Sequence, residues 1–381
     1  MYSPICLLLR STNNLVKTGA RTEMKRCSNC VLSEKMPNIT FDSQGQCNYC
    51  RNAKKMELEG EEKIIELLDS IRSPENKYDC IVSLSGGRDS TYTLLKMVKD
   101  YKLKVLAVNY ANPFTDPVAK KNIENAVQCL NVDLVQFQLK NNIHEKTFRH
   151  NFDVWMKNPN PALIPMLCIA CKTYYYTILK IAKKEGIRCI ISGGNPYEYT
   201  SFKTELLNVA SDEKIENTFI KALSGIIRET AKNPEYYHPV CIPTMIKGYL
   251  FGDPYCLGSR IFGRGLKKID LFHYIQWNED EILARIKKEL QWEAPQNLPS
   301  TWRFDCHVGH LKELLYLKTI GMTERDDFYA KMVRQGIMNR DEALIRLEKE
   351  NSIQYEEIEM LLKQVGFKDV SILYDSSFSK K

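Results

Sequence analysis

No apolar run in this chain reaches the roughly 18 residues that a membrane-crossing helix needs. The run Ile5 to Leu9 is too short for the hydrophobic region of a signal peptide, and no convincing cleavage site follows it. Together these absences predict a cytoplasmic protein without a membrane span. No repeat and no low-complexity tract occurs, which excludes solenoid and propeller architectures. The chain contains no Gly-Lys dipeptide and so no Walker A loop. It has no Gly-x-Cys-x-Gly elbow and no cysteine directly after Met1, so the usual glutamine-hydrolysing nucleophiles are missing. Strong charge is missing as well. Lys and Arg number 54 against 47 Asp and Glu, a balance of +7. The lysine pairs at 54–55, 120–121, 183–184, 267–268 and 287–288 are scattered. That balance suits an anionic ligand and is too dispersed for a nucleic-acid track.

What is present reads as globular. Hydrophobic residues make up 44% and charged residues 27% of 381, which excludes a disordered or fibrous chain. The length predicts two domains with a small appendage. Residues 1–23 read as a loosely ordered tail, with Met24 an alternative start. Thirteen cysteines are the outlying abundance. Their odd number, without a secretory signal, points to metal ligands and reduced buried thiols rather than a disulfide framework.

Cys27-Ser-Asn-Cys30 and Cys47-Asn-Tyr-Cys50 form a Cys-x2-Cys-x16-Cys-x2-Cys pattern. Two tight knuckles at this spacing place four thiolates around one zinc ion, and four thiolates leave no open position, so the site is expected to be structural. An amphipathic stretch from Lys55 to Ile71 follows, ended by Pro74.

Tyr78 to Leu84 is a short apolar run of buried-strand type. It leads into Ser85-Gly86-Gly87-Arg88-Asp89-Ser90 and then a helical pattern. Glycines 86 and 87 let the backbone approach an anion and turn N–H groups toward it. Ser85 and Ser90 add hydroxyl donors, and the helix N-terminus adds positive potential. Asp89 does not favour a bare phosphate, so it is expected to act through Mg2+. Strand and helix patterns then alternate: Leu103 to Tyr110, a helix over 116–130, Val132 to Leu139, a helix over 167–185, and Ile187 to Ile191. The alternation predicts a Rossmann-like parallel sheet, with ligands outside the strand C-termini. Asn109, with Val108 and Tyr110, is therefore placed on the adenine side, and Gly193 and Gly194 read either as a second wall of the nucleotide site or as a plain turn.

Cys168-Ile-Ala-Cys171-Lys172 puts two thiols on one helical face and a lysine within reach of a phosphate. Two readings stand: reduced buried thiols, or a metal site completed by a distant cysteine such as Cys306, Cys241 or Cys256. The tyrosines at 174–176 read as helix packing. Beyond residue 276 the patterns are helical: Asn278 and Thr323 open helices, and 340–349 and 354–365 complete a bundle. Arg303 and Asp305 lie in the polar, aromatic-rich segment 300–307, which reads either as facing the substrate or the nucleotide or as a surface turn with a local ion pair.

Ser85-Gly-Gly-Arg-Asp-Ser90 resembles the loop of the PP-loop ATP pyrophosphatase superfamily. That resemblance implies cleavage of ATP between its α and β phosphates and activation of a carbonyl oxygen as an adenylate. Together with the knuckle, Cys168-x-x-Cys-Lys172, Ser192-Gly-Gly-Asn195, Arg303-Phe-Asp-Cys306 and Gly336 to Leu344, the chain resembles the N-acetyl sugar amidotransferases of lipopolysaccharide and nonulosonic-acid biosynthesis. The implied fold is a PP-loop α/β domain over residues 56–275, behind a zinc knuckle at 24–55 and ahead of a helical region at 276–381. The implied reaction turns an acetamido group of a nucleotide-linked N-acetyl sugar into an acetamidino group. Ammonia would come from a separate glutaminase and its channel-forming partner. ATP, Mg2+ and Zn2+ are the implied cofactors. Asp89 would hold Mg2+, Ser85 to Ser90 the pyrophosphate, and Lys172 or Arg303 the phosphates. PP-loop tRNA thiolation enzymes are the alternative, in which Cys168, Cys171 and Cys306 would hold an iron–sulfur cluster.

Overall fold

The computed structural model describes residues 24–209 and 215–374; the tail expected over 1–23 lies outside them. Five strands, β1 (Cys80–Ser83), β2 (Val105–Tyr110), β3 (Asp133–Phe137), β4 (Cys189–Ser192) and β5 (Lys267–Asp270), form one sheet in the order β3-β2-β1-β4-β5. All four pairings are parallel. The central strands carry runs such as Cys-Ile-Val and Val-Leu-Ala-Val, buried on both faces, as helix-covered parallel strands require. The chain leaves β1 toward β2 on one side and returns to β4 on the other. A crevice therefore opens at the C-terminal ends of β1 and β4, where such sheets bind ligands.

Helices Arg88–Leu95 and Pro117–Leu130 make the first two crossovers. Asp116 caps the second by accepting from Val118 N at 2.7 Å, and Pro117 supplies a fixed φ at its first position. Helix Glu279–Leu290 covers the first two and buries Ile282, Ile286 and Leu290. Thr323 and Asp326 close the expected capping box, and that helix, Glu324–Gln335, ends at Gly336 in the left-handed region with φ of 79°. One continuous buried cluster runs from Cys27 to Leu373, so the C-terminal helices share the core of the sheet.

The structure departs from the sequence expectations in three places. β5, Lys-Lys-Ile-Asp, has one buried apolar residue and lies at the sheet edge, where charges are tolerated and the apolar signal fades. Helices Ile143–Lys157, Ile215–Ala231 and Ile242–Phe251 stand where no element was expected. The helix expected over 167–185 is broken at Thr173 and is preceded by the 3-10 segment Pro161–Cys168. That run also corrects the expectation that no stretch is long and apolar enough for a span. Pro161–Lys184 is long and apolar enough to cross a bilayer, yet 61% of its apolar window is buried inside the protein, as a core helix would be.

Candidate functional site

β1 ends at Ser83, and the chain turns through Ser85, Gly86 and Gly87 into helix Arg88–Leu95. Gly86 sits at φ 82°, and a Cβ there would lie 2.1 Å from the Ala119 carbonyl oxygen. No other residue fits that position. The loop is braced internally: Gly87 N–H donates to Ser85 Oγ at 3.3 Å, and the Ser90 hydroxyl donates to the Gly87 carbonyl at 3.1 Å. Ser85 Oγ and Ser90 Oγ lie 3.1 Å apart. The β4 turn abuts this helix, because a Cβ on Gly193 would come within 2.6 Å of the Asp89 carbonyl oxygen.

These turns form one side of a cleft of about 490 Å³, lined by Ser85, Ser90, Asn109, Gly193 and Gly194. Arg303, Asp305 and Lys312, from the C-terminal region, line it as well. The C-terminal wall is tied on by backbone bonds, His307 N to Phe114 O at 3.0 Å and Asp116 N to Asp305 O at 3.2 Å. Asp305 is held close to the loop: a Cβ on Gly87 would meet its carboxylate at 3.2 Å. Burial raises the Asp305 pKa, against the opposing pull of the Ser85 hydroxyl and Arg303. Asn109 lines the cleft, but its amide is spent on the sheet. It donates to Leu84 O at 2.8 Å and accepts from Gln136 Nε2 at 2.9 Å.

The positive side of the cleft centres on Glu324. Its carboxylate is buried and takes Lys203 at 2.9 Å, Lys312 at 3.0 Å and Arg303. Burial alone would raise the Glu324 pKa, yet the three cations hold it well below the usual carboxylate range. Arg303 also pairs with Glu198 at 3.3 Å and stacks its guanidinium 4.7 Å from the centre of the Trp302 ring. Two of the three cations thus face the cleft, with their positions fixed by one buried anion.

Several expected residues lie outside the cleft lining: of the loop, Ser85 and Ser90 line it, whereas Gly86, Gly87, Arg88 and Asp89 do not. Lys172 is exposed and outside the cleft lining. The cleft cation besides Arg303 is Lys312, one of two lysines on helix Val308–Ile320, which no local pattern in the sequence marks. Asp89 Oδ1 accepts from Arg88 Nε at 2.9 Å and from Trp277 Nε1 at 3.1 Å. Arg88 is itself buried against Glu279 and bonds Thr301 at 3.2 Å. Arg88 and Asp89 therefore form an internal pair beneath the loop and do not line the cleft. A carboxylate already matched by a guanidinium and an indole N–H does not fit the Mg2+ role expected of Asp89. Tyr175 and Tyr176 pack in the protein as expected, whereas Tyr174 lines the cleft.

Cys168, Cys171 and Cys306 line the same cleft. Burial pushes the Cys171 thiol up to about 12 and Cys306 up as well, so both are neutral at pH 7. Asn112 Nδ2 donates to Cys306 Sγ at 3.3 Å.

Among the described residues, Cys27, Cys30, Cys47 and Cys50 are the group whose ligand atoms all lie within 4.8 Å of one another. Cys27 to Cys50 and Cys30 to Cys47 are both 3.8 Å between sulfurs. Four sulfurs about 2.3 Å from a central ion would stand close to that distance apart. The cage therefore fits one tetrahedral ion. Backbone N–H groups of Asn29 at 3.3 Å and Cys47 at 3.2 Å point at Cys27 Sγ, which supports a thiolate there. The Arg340 guanidinium donates to the Cys27 and Cys30 carbonyls at 3.1 Å, clamping the knuckle to the C-terminal helices.

Fold and site define a doubly wound parallel α/β protein with a glycine-containing loop at its switch point and a cluster of four cysteines that could hold a metal ion. No protein-family model matches the sequence. A stretch of 177 residues is 27% identical to an uncharacterised protein of Methanocaldococcus jannaschii, covering 44% of this chain and 58% of that one. The chain thus spans little more than half of the curated relative it matches. Among solved structures it is similar to an NH3-dependent NAD synthetase from Campylobacter jejuni, with TM-score 0.26, 15% identity, and 50% and 94% of the two chains covered. It is also similar to a U34-tRNA thiolase from Methanococcus maripaludis with its 4Fe-4S cluster, with TM-score 0.32, 11% identity and 94% of each chain covered. An NMN synthetase from Francisella tularensis gives TM-score 0.25 and 13% identity over 62% of this chain and 97% of that one.

Proposed function

We propose that this chain is an ATP-using enzyme of the PP-loop type, converting the acetamido group of a nucleotide-linked N-acetyl sugar into an acetamidino group for surface-polysaccharide biosynthesis. The observation that supports it is the Ser85–Ser90 loop sharing one cleft with Arg303 and Lys312. An amide carbon is a poor electrophile until its oxygen can leave. The amide oxygen attacks the α-phosphorus of ATP, the bond to the β-phosphate oxygen breaks, and pyrophosphate departs. Ammonia then adds to the imidate carbon, and AMP leaves carrying the former amide oxygen, giving an amidine. Loop N–H groups hold the pyrophosphate, and Arg303 and Lys312 neutralise charge building on the departing oxygens. ATP enters as its magnesium complex, with the ion on the phosphates rather than on Asp89. Ammonia comes from a separate glutaminase through a channel-forming partner. The four-cysteine cage holds zinc in a structural role. All twelve cysteines among the described residues are free, which fits the reducing cytoplasm.

A second reading, tRNA thiolation, draws on the three cysteines in the cleft, which would hold an iron–sulfur cluster while sulfur replaces ammonia as nucleophile. Pyrophosphate release from ATP decides between the two. The amidotransferase reading expects turnover with a UDP-N-acetyl sugar plus ammonia; turnover with tRNA plus sulfide alone overturns it.

A further inference from the structure

Behind the β4 turn lies a second cavity, of about 650 Å³, that shares Ser192 and Gly194 with the nucleotide cleft. At Gly194 a Cβ would fall 2.9 Å from Asp270 Oδ1, so no side chain fits on that part of the shared wall. The two cavities differ in charge. The cleft carries Arg303 and Lys312 against Asp305, whereas the second cavity has five carboxylates, Glu57 and Asp253 among them, against Lys268 and Lys331, and the rings of Tyr199, Phe219 and Tyr255. Carboxylates accept hydrogen bonds from hydroxyl groups, while aromatic faces cover the C–H surface of a ring.

Asn195 supplies the polar contact that points to a ligand. It lines this cavity and is 8% exposed. Its Oδ1 accepts from Tyr197 N at 3.0 Å and caps the short turn Pro196–Glu198. That bond fixes which end of the amide is the oxygen, so Nδ2 is the remaining donor, and it has no acceptor among the described residues. A buried N–H group without a partner calls for an explanation, and here the adjoining cavity has room for an acceptor.

We infer that this second cavity binds the acceptor, a hydroxyl-rich ring bearing a secondary amide, whose carbonyl oxygen accepts from Asn195 Nδ2 beside the shared wall. The inference rests on the amide-activating reading above and adds the place where the amide is held. Lying next to the Ser192–Gly194 turn, that carbonyl is brought to the edge of the cleft that holds the α-phosphate.

The test compares the full-length wild type with Asn195→Ser and Asn195→Asp, both of which keep an acceptor for the Tyr197 N–H and remove the amide donor. Saturation-transfer NMR measures binding of N-acetylglucosamine and of glucosamine, which lacks the amide. ATP affinity and the melting temperature serve as controls. The site requires at least a tenfold weakening of N-acetylglucosamine in Asn195→Ser, with glucosamine and ATP binding changed less than twofold. Asn195→Asp loses the same contact. N-acetylglucosamine binding that both variants retain, binding displaced by ATP, or no binding to the wild type overturns the assignment. The reaction itself is read separately, as pyrophosphate release. Turnover with a UDP-N-acetyl sugar whose KM is unmoved in Asn195→Ser removes the site and leaves the reaction standing. Amide-dependent sugar binding without any turnover removes the reaction and leaves the site.

Discussion

The indole Nε1 of Trp292 donates to the carbonyl oxygen of Gly86 across 3.0 Å. A residue just beyond helix Glu279–Leu290 thereby pins the left-handed glycine of the loop, and Asn122 supports the same carbonyl more weakly at 3.5 Å. Trp292→Phe keeps the ring in the core and removes the donor. It is expected to cost about 1–2 kcal/mol in urea unfolding and to weaken ATP several-fold, because the loop N–H groups lose their fixed aim. Gly86→Ala is expected to abolish ATP binding, since its Cβ would overlap the Ala119 backbone at 2.1 Å. A Gly86→Ala protein that binds ATP like the wild type would remove the loop from the nucleotide site.

Lys312 and Lys172 make a paired prediction. Lys312 lines the cleft and is tethered by Glu324 at 3.0 Å, while Lys172 is exposed outside it. Lys312→Met should raise the KM for ATP at least tenfold. It should also cost a few kcal/mol of stability, because a buried carboxylate loses one of its cations. Lys172→Met should change neither by more than twofold. Equal effects on the KM would return Lys172 to the phosphate site.

The metal cage couples to the rest of the fold through Arg340, which donates to the Cys27 carbonyl at 3.1 Å. Purified protein is expected to carry one zinc per chain by elemental analysis. Chelation, or Cys47→Ser, should lower the melting temperature by on the order of 10 °C, because metal-binding free energy is folding free energy. Arg340→Met should reproduce part of that loss without releasing the metal. A chelator that strips the ion without moving the melting temperature would deny the cage its structural role.

The parts of this protein legible in its sequence are those written in short, contiguous signals. The four cysteines announce their cage because two knuckles fix the geometry locally. β1, the loop and the helix after it follow one another within Cys80–Leu95, so pattern and chemistry coincide. The positive side of the cleft depends on Lys203, Arg303, Lys312 and Glu324 meeting from different elements, and nothing local marks Lys312 or the anion that orients it. Asp89 misled for the same reason. Its position in the loop suggests a ligand contact, but Trp277, far along the chain, claims the carboxylate. Asn195 was legible as part of a turn; its unpaired donor emerges only when Tyr197 and the second cavity are in place.

Acid stability follows from the buried histidines. His144 is 2% exposed, its Nδ1 lies 2.7 Å from the Tyr110 hydroxyl, and burial lowers its pKa from 6.5 to about 4. Between those values the unfolded chain takes up a proton that the folded chain refuses, so stability falls as pH drops from 6.5 toward 4. His310, also lowered by burial to about 4, acts in the same direction. Glu313 opposes them: burial raises it to about 7, so its folded form holds an extra proton between pH 7 and its ordinary 4.5. Glu313, with the raised carboxyls of Asp305 and Glu198, offsets part of the histidine contribution, so the slope is at most on the order of one proton, about 1.4 kcal/mol per pH unit. His144→Gln keeps a partner for Tyr110 and removes the titration. Urea unfolding from pH 6.5 to 5 should then lose less stability in the variant than in the wild type. Equal slopes in both would mean that His144 is not the group that titrates, and that the acid sensitivity arises elsewhere in the core.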